Sequence, residues 1–203
     1  PDNLFQPVKE KQRPPAHYEY TAGWNHLFGE IPLKKANWRR YRDYYYNCIQ
    51  DVDNQIVHIL NTLDNLGMMD DTIIVFTSDH GEMMGSHQMV TKQRLYEESA
   101  AVPLIVAPPS AKPGVDVQHL VSGLDILPTL LDYASIAAPR SLLGQSLRPL
   151  VEVKSVPWGE FVAAETATFA ESRMIRTARY KYIVYAEGDN REQFFNMDED
   201  PTE

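Results

Sequence analysis

Thr72-Ile-Ile-Val-Phe-Thr77, running straight into Ser78-Asp79-His80-Gly81-Glu82, is the stretch that decides the fold. The run from 72 to 77 is apolar and β-branched, of strand length and without alternation. That is the pattern of a strand buried on both faces of a parallel α/β sheet. The polar residues then arrive at the strand's carboxyl end, where open α/β sheets place their ligand crevice. Upstream, from about Trp38 to Leu66, Tyr45, Ile49, Val52, Ile56, Leu60 and Leu63 recur every three or four positions and make one helical stripe. A span this long accommodates a kink or two helices, and Gly67 follows it as a C′ residue. Downstream, Val102-Pro-Leu-Ile-Val-Ala107 reads as a second strand, with Pro103 near its start. Asp125 then caps a helix through Leu131 to about Ala137, in which Pro128 takes the third position, where no intrahelical N–H is needed. This element order is α/β.

The flanks differ. Residues 1–37 read as extended or irregular, because Pro1, Pro7, Pro14, Pro15 and Pro32 interrupt any helix. Lys9, Lys11, Arg13, Lys34 and Lys35 make this stretch locally basic, which fits a solvated crossing loop better than a binding arm. Beyond about Leu150, short strand-like runs at Phe161–Thr166, Met174–Thr177, Tyr180–Tyr185 and Gln193–Met197 are punctuated by turns at Arg179 and Gly188-Asp-Asn190. The expected organisation is therefore an irregular segment 1–37, an α/β core 38–150 with a mixed, largely parallel sheet flanked by helices, and a small antiparallel α+β subdomain 151–203.

Composition narrows the function. The 203 residues carry a net charge of −9, which disfavours a nucleic-acid binder, and no apolar run is long enough to span a membrane. Cys48 is the single cysteine, so no intrachain disulfide forms, and its place in the helical stretch reads as buried and inert. No Asn-x-Ser/Thr acceptor, signal-peptide pattern, Gly-x-Ser-x-Gly or Walker loop occurs. Chemistry therefore concentrates between Thr77 and Glu98. Asp79 offers a hard anionic oxygen and His80 a borderline nitrogen, a pair that suits a divalent cation, and Gly81 lets the backbone turn after it. His87 and Lys92 follow within one loop, with Glu82, Glu97 and Glu98 nearby. A lysine ammonium beside a metal makes a cationic pocket for an oxyanion such as sulfate or phosphate. The bland alternatives are an Asp-capped strand-end turn at Asp79, a surface His87 and a solvated Lys92.

Taken in order, these strings resemble the C-terminal part of a type I sulfatase, in the alkaline phosphatase superfamily. The residues that carry the resemblance are Asp53 behind its Tyr-rich helix, Thr77-Ser-Asp-His-Gly-Glu82, Gly85-Ser-His87, Lys92, Leu95-Tyr-Glu-Glu98 and Val102-Pro-Leu-Ile105. Further on come Val121-Ser-Gly-Leu-Asp125-Ile-Leu-Pro128-Thr129, Leu143-Gly144-Gln-Ser-Leu147, Arg179-Tyr-Lys-Tyr-Ile183, Glu192-Gln193 and the closing Asp198-Glu-Asp-Pro201-x-Glu203. The resemblance runs from about residue 38 to the end.

It implies sulfate monoester hydrolysis, with Asp79 and His80 as metal ligands and Lys92 as the catalytic lysine on the ester. His87 is carried with Lys92 as a pocket residue. The implied metal is Ca2+, with Mn2+ or Zn2+ as alternatives. The family's nucleophile is a formylglycine made from a Cys/Ser-x-Pro/Ala-x-Arg motif. That motif does not occur in this sequence, so the resemblance implies a C-terminal portion whose partner is the missing N-terminal portion of the same enzyme. Expected substrates are glycan, aryl or alkyl sulfates, and family analogy favours a periplasmic or secreted location over a cytoplasmic one. A sister hydrolase of phosphodiesters or phosphonate monoesters and a non-catalytic scaffold stay open as alternatives.

Overall fold

The computed structural model describes residues 13–30, 34–109, 111–167 and 171–203. Lys9, Lys11, Pro1, Pro7 and Pro32 of the expected irregular segment lie outside them. The rest of that segment departs from expectation: residues Pro15–Phe28 form helix α1. Pro14 and Pro15 do not interrupt it because they sit at the helix start, where a missing N–H costs nothing. Gly29, at φ 82°, ends the helix, and its N–H bonds the Asn25 carbonyl.

Helix α2 spans Lys35–Asn65 without a break, so the kink or second helix does not occur. Gly67 closes it at φ 65°, with Gly67 N–H on the Asp64 carbonyl and Met68 N–H on the Leu63 carbonyl. That is the paired bonding of a Schellman cap. Of the expected stripe, Tyr45, Ile56, Leu60 and Leu63 are half-buried, while Ile49 and Val52 are exposed. Cys48, expected buried, is exposed, because it falls between the stripe positions 45 and 49.

Strand β1 (Ile74–Thr77) pairs with β2 (Leu104–Ala107), Ile74 opposite Ala107 and Thr77 opposite Leu104. The pairing is antiparallel, and among the described residues every strand pair is antiparallel, so the parallel pairing expected of this run is not seen there. The expectation of burial on both faces is not met within the described residues, where Phe76 and Ile105 are exposed. Between the strands lies the loop of interest, ending in the short helix α3 (Glu97–Ala100). After β2, helix α4 (Ile126–Tyr133) starts directly after Asp125, as expected, and ends at Tyr133, short of Ala137. Asp125 does not cap α4 with its side chain; it belongs to a 3-10 turn (Gly123–Asp125) capped by Ser122, and it completes that turn's capping box by accepting the Ser122 N–H at 2.8 Å. Its other oxygen takes the Gln145 N–H at 2.8 Å, which ties in the segment leading to α5 (Arg148–Val151).

The last part is a four-stranded antiparallel meander, β3 (Phe161–Thr166), β4 (Ser172–Thr177), β5 (Tyr180–Tyr185) and β6 (Glu192–Asn196), in that spatial order. Each strand matches a run read from the sequence to within two residues. Two buried clusters join this meander to α1 and the loop. Ala16, Leu95, Met174, Ile183 and Tyr185 make one, and Tyr20, Met83, Met89 and Tyr96 make the other. Helix α1 is thus the wedge on which the loop is built. His17 of α1 is fully buried, and its Nε2 lies 2.9 Å from the Tyr185 hydroxyl. Burial first, then Arg13 and Arg94, lowers its pKa to about 2, so the ring is neutral.

Lys181 of β5, fully buried, meets two carboxylates: Glu97 at 2.9 Å and Glu203 at 2.6 Å. Burial outweighs the Lys181 ammonium and raises the Glu203 pKa from 4.5 to about 7. The folded protein therefore holds a proton that the unfolded chain has released between those two values. The stabilisation is complete below pH 4.5 and is lost as pH rises through 7. In the full-length protein, Glu203→Gln is expected to flatten this decline, by at most about 3 kcal/mol across the window. Urea melts of both proteins at a series of pH values measure it, and parallel curves would contradict it.

Candidate active site

β1 ends at Thr77 and delivers Ser78, Asp79 and His80 to an exposed rim. Ser78 Oγ donates to the His80 carbonyl at 2.7 Å and Asp79 Oδ1 accepts the His80 N–H at 3.0 Å, so the strand end is folded on itself. This is the local capping that the bland reading foresaw. It occupies only one carboxylate oxygen. Oδ2 lies 3.3 Å from His80 Nε2.

The imidazole orientation follows from its partners. Its Nδ1 sits 2.7 Å from the Gly81 carbonyl, which can only accept, so Nδ1 carries the hydrogen and Nε2 presents a lone pair. A backbone carbonyl behind the ring is the usual support of a metal-binding histidine. Lys92 Nζ lies 2.5 Å from that Nε2. Carboxylate, imidazole and ammonium therefore converge, although twelve residues separate His80 from Lys92. The Asp79 side chain is 81% exposed, and exposed ion pairs stabilise a fold by little or nothing. The cluster is thus not explained by what it gives to stability.

Gly81 serves a different purpose from the expected turn. A Cβ there would fall 2.0 Å from the Glu98 carbonyl oxygen, and the Gly81 N–H bonds the Ser99 carbonyl at 2.8 Å. The glycine lets the loop lie directly against α3.

The loop from Met84 to Thr91 is strained. Met84, His87, Gln88 and Thr91 all have positive φ, as does Gly85 at 94°. Such residues persist only where surroundings over-determine them, and they cluster at functional sites. Those surroundings are visible. The Tyr20 hydroxyl bonds the Val90 carbonyl and the Thr91 hydroxyl. Arg42 of α2 donates from Nε and Nη2 to the Met84 carbonyl, both at 3.2 Å. Arg94, fully buried, donates to the Ala16 carbonyl at 3.0 Å and stands 4.8 Å over the Tyr20 ring.

His87 is packed inside this framework. It is 4% exposed and stacks on Tyr96 at 4.2 Å between centroids. Burial lowers its pKa, against the pull of Glu98 and Asp200, so a neutral ring is favoured. Glu97, one of the nearby acids, points to Lys181 and Arg176 of the meander, at 2.9 and 3.7 Å, rather than to Asp79. Among the described residues no group of three or more His, Cys, Asp or Glu side chains could hold a metal, and no helix is long and apolar enough to cross a membrane. Tyr20, Tyr41 and Thr91 support the site and were not legible in the sequence.

Comparisons with known proteins agree on one family. The sulfatase family profile matches residues 3–136, beginning well before residue 38. The profile of the N-sulphoglucosamine sulphohydrolase C-terminal region matches residues 85–203. Human arylsulfatase K is 33% identical over 98% of this chain, and the chain spans 38% of that relative's length. A solved 2-O GAG sulfatase superposes over all of the chain and 45% of its own, with TM-score 0.85 and 32% identity. A phosphonate monoester hydrolase from Silicibacter pomeroyi covers 92% of this chain and 42% of its own, with TM-score 0.80 and 25% identity. The expected α/β, alkaline phosphatase-like class therefore holds, and the antiparallel β1–β2 pair is one local feature of it. The chain belongs to the sulfatase family.

Proposed function

We propose that the protein hydrolyses a sulfate monoester, with Asp79, His80 and Lys92 as this chain's contribution to the active site. The observation that carries the reading is the convergence of those side chains on one exposed rim: Nε2 lies 3.3 Å from the carboxylate and 2.5 Å from the ammonium. The donor set fits a divalent cation in part. One carboxylate oxygen and one correctly oriented imidazole nitrogen supply two ligands, and further donors must come from outside the described residues. Nitrogen beside oxygen suits Mn2+ or Zn2+ at least as well as the expected Ca2+, which takes oxygen ligands. A bound divalent cation would act as a Lewis acid on the ester oxygens.

The residues of this chain then divide the work. Asp79 supplies negative charge that holds the cation. His80 presents Nε2 because the Gly81 carbonyl keeps its hydrogen on Nδ1. Lys92 offers ammonium donors to a non-bridging oxygen of the ester, whose negative charge it offsets as the nucleophile approaches sulfur. No Cys/Ser-x-Pro/Ala-x-Arg motif occurs in the sequence. The reading therefore assigns the nucleophile, a formylglycine in this family, to the part of the relatives' length outside the matched span. A sulfated glycan is the substrate class favoured by the likeness to a 2-O GAG sulfatase.

A second reading, phosphonate monoester or phosphodiester hydrolysis, is favoured by the likeness to the phosphonate monoester hydrolase and by the histidine among the ligands. Paired sulfate and phosphonate esters of one phenol, assayed on the full-length protein, decide between them. A higher kcat/KM on the sulfate is expected. A higher value on the phosphonate would transfer the assignment to the second reading.

A further inference from the structure

We propose that Glu82 is a positioning residue that aims Lys92 at His80 by gripping the strained backbone of Thr91. The proposal rests on the sulfatase reading of the same site. Glu82 follows His80 by two residues, and its Oε1 accepts the Thr91 N–H at 2.5 Å, one residue before the lysine. One carboxylate thus bridges the strand-end segment that carries Asp79 and His80 and the loop segment that carries Lys92. A backbone bond runs beside it, from Met83 N–H to the Thr91 carbonyl at 2.7 Å. Together the two bonds clip residues 82–83 to residue 91.

The clip is needed because of what Thr91 does. Its φ is 61°, in the left-handed region, where a β-branched residue is a genuine outlier. Released, Thr91 would return to an extended or right-handed helical conformation and carry Lys92 away from His80. The surroundings hold the strained form. The Tyr20 hydroxyl bonds the Thr91 side chain, and the Tyr41 hydroxyl donates to Glu82 Oε1 at 2.9 Å. The Met84 N–H approaches the same oxygen at 3.4 Å. Burial and the adjacent Glu82 raise the Tyr41 pKa, which keeps the phenol a hydrogen-bond donor. Glu82 is thus a shared acceptor, and what the geometry asks of it is an oxygen.

A double-mutant cycle on the full-length protein tests this, using an activated aryl sulfate so that residual rates stay measurable. Glu82→Ala is expected to lower kcat by about tenfold or more, with KM changed by less than about threefold. Glu82→Gln keeps an acceptor oxygen and is expected to recover most of that loss. In a Lys92→Ala background, Glu82→Ala is expected to cost less than about twofold more, because the residue acts through the lysine. Tyr41→Phe with Lys92→Ala reads the same coupling if Glu82→Ala fails to fold. Additive losses, or a Gln variant as impaired as Ala, would overturn the positioning role and leave the sulfatase reading standing. Full activity of Lys92→Ala alone would instead sink that reading.

Discussion

Lys92→Ala in the full-length protein is expected to lower kcat/KM on a sulfate ester by about 10²–10³-fold, while the melting temperature moves by less than about 2 °C. Lys92 is exposed, and among the described residues its ammonium meets His80, so little packing is lost with it. Its chemical loss is large because a fixed cation beside a non-bridging oxygen of the ester offsets negative charge as the nucleophile approaches sulfur. Arginine should not rescue the variant, since its planar fork replaces a compact charge lying 2.5 Å from an imidazole nitrogen. Steady-state kinetics with a parallel melt check both halves. A large drop in melting temperature would assign Lys92 to the fold instead.

Asp79→Asn is expected to have the larger effect, about 10³-fold or more in kcat/KM together with loss of bound metal. Asparagine keeps an oxygen for the His80 N–H, which Asp79 Oδ1 accepts at 3.0 Å, so the strand-end turn is preserved. What disappears is the negative charge. A neutral amide oxygen is a far poorer ligand for a divalent cation than a carboxylate, and one imidazole cannot replace it. Metal analysis of the purified variant beside the parent, with rates measured over a metal titration, separates weakened binding from lost chemistry. Activity recovered at high metal concentration would locate the effect in affinity. Unchanged metal content with unchanged rate would remove Asp79 from the site.

The elements legible in the sequence were those with short-range signatures. The stripe and the terminal Gly67 made α2 readable, and short strand-like runs between turn residues made the meander readable to within two residues. Asp79 and His80 were readable because a strand pattern runs directly into them. Helix α1 was not, because its prolines punctuate sequence wherever they fall, and only their position at a helix start makes them harmless. The contributions of Tyr20 and Tyr41 were hidden for a related reason. They depend on α1 and α2 closing over a loop at separations of about 40 to 70 residues, beyond any local pattern. Nothing in the letters Val90-Thr91-Lys92 announces a left-handed threonine. The role of Gly81 was legible in kind but not in cause: the expected turn became a close approach to the Glu98 carbonyl. A place in the helical stretch does not by itself bury Cys48, which lies off the apolar stripe and is exposed.

A crystal structure of the full-length protein grown with a divalent cation and orthovanadate bears most directly on the convergence at 79, 80 and 92. One ion is expected roughly 2.0–2.6 Å from an Asp79 carboxylate oxygen and from His80 Nε2, with Lys92 Nζ within hydrogen-bond reach of a vanadate oxygen. An ion bound by other residues, with the Lys92 side chain turned out to solvent, would contradict the account.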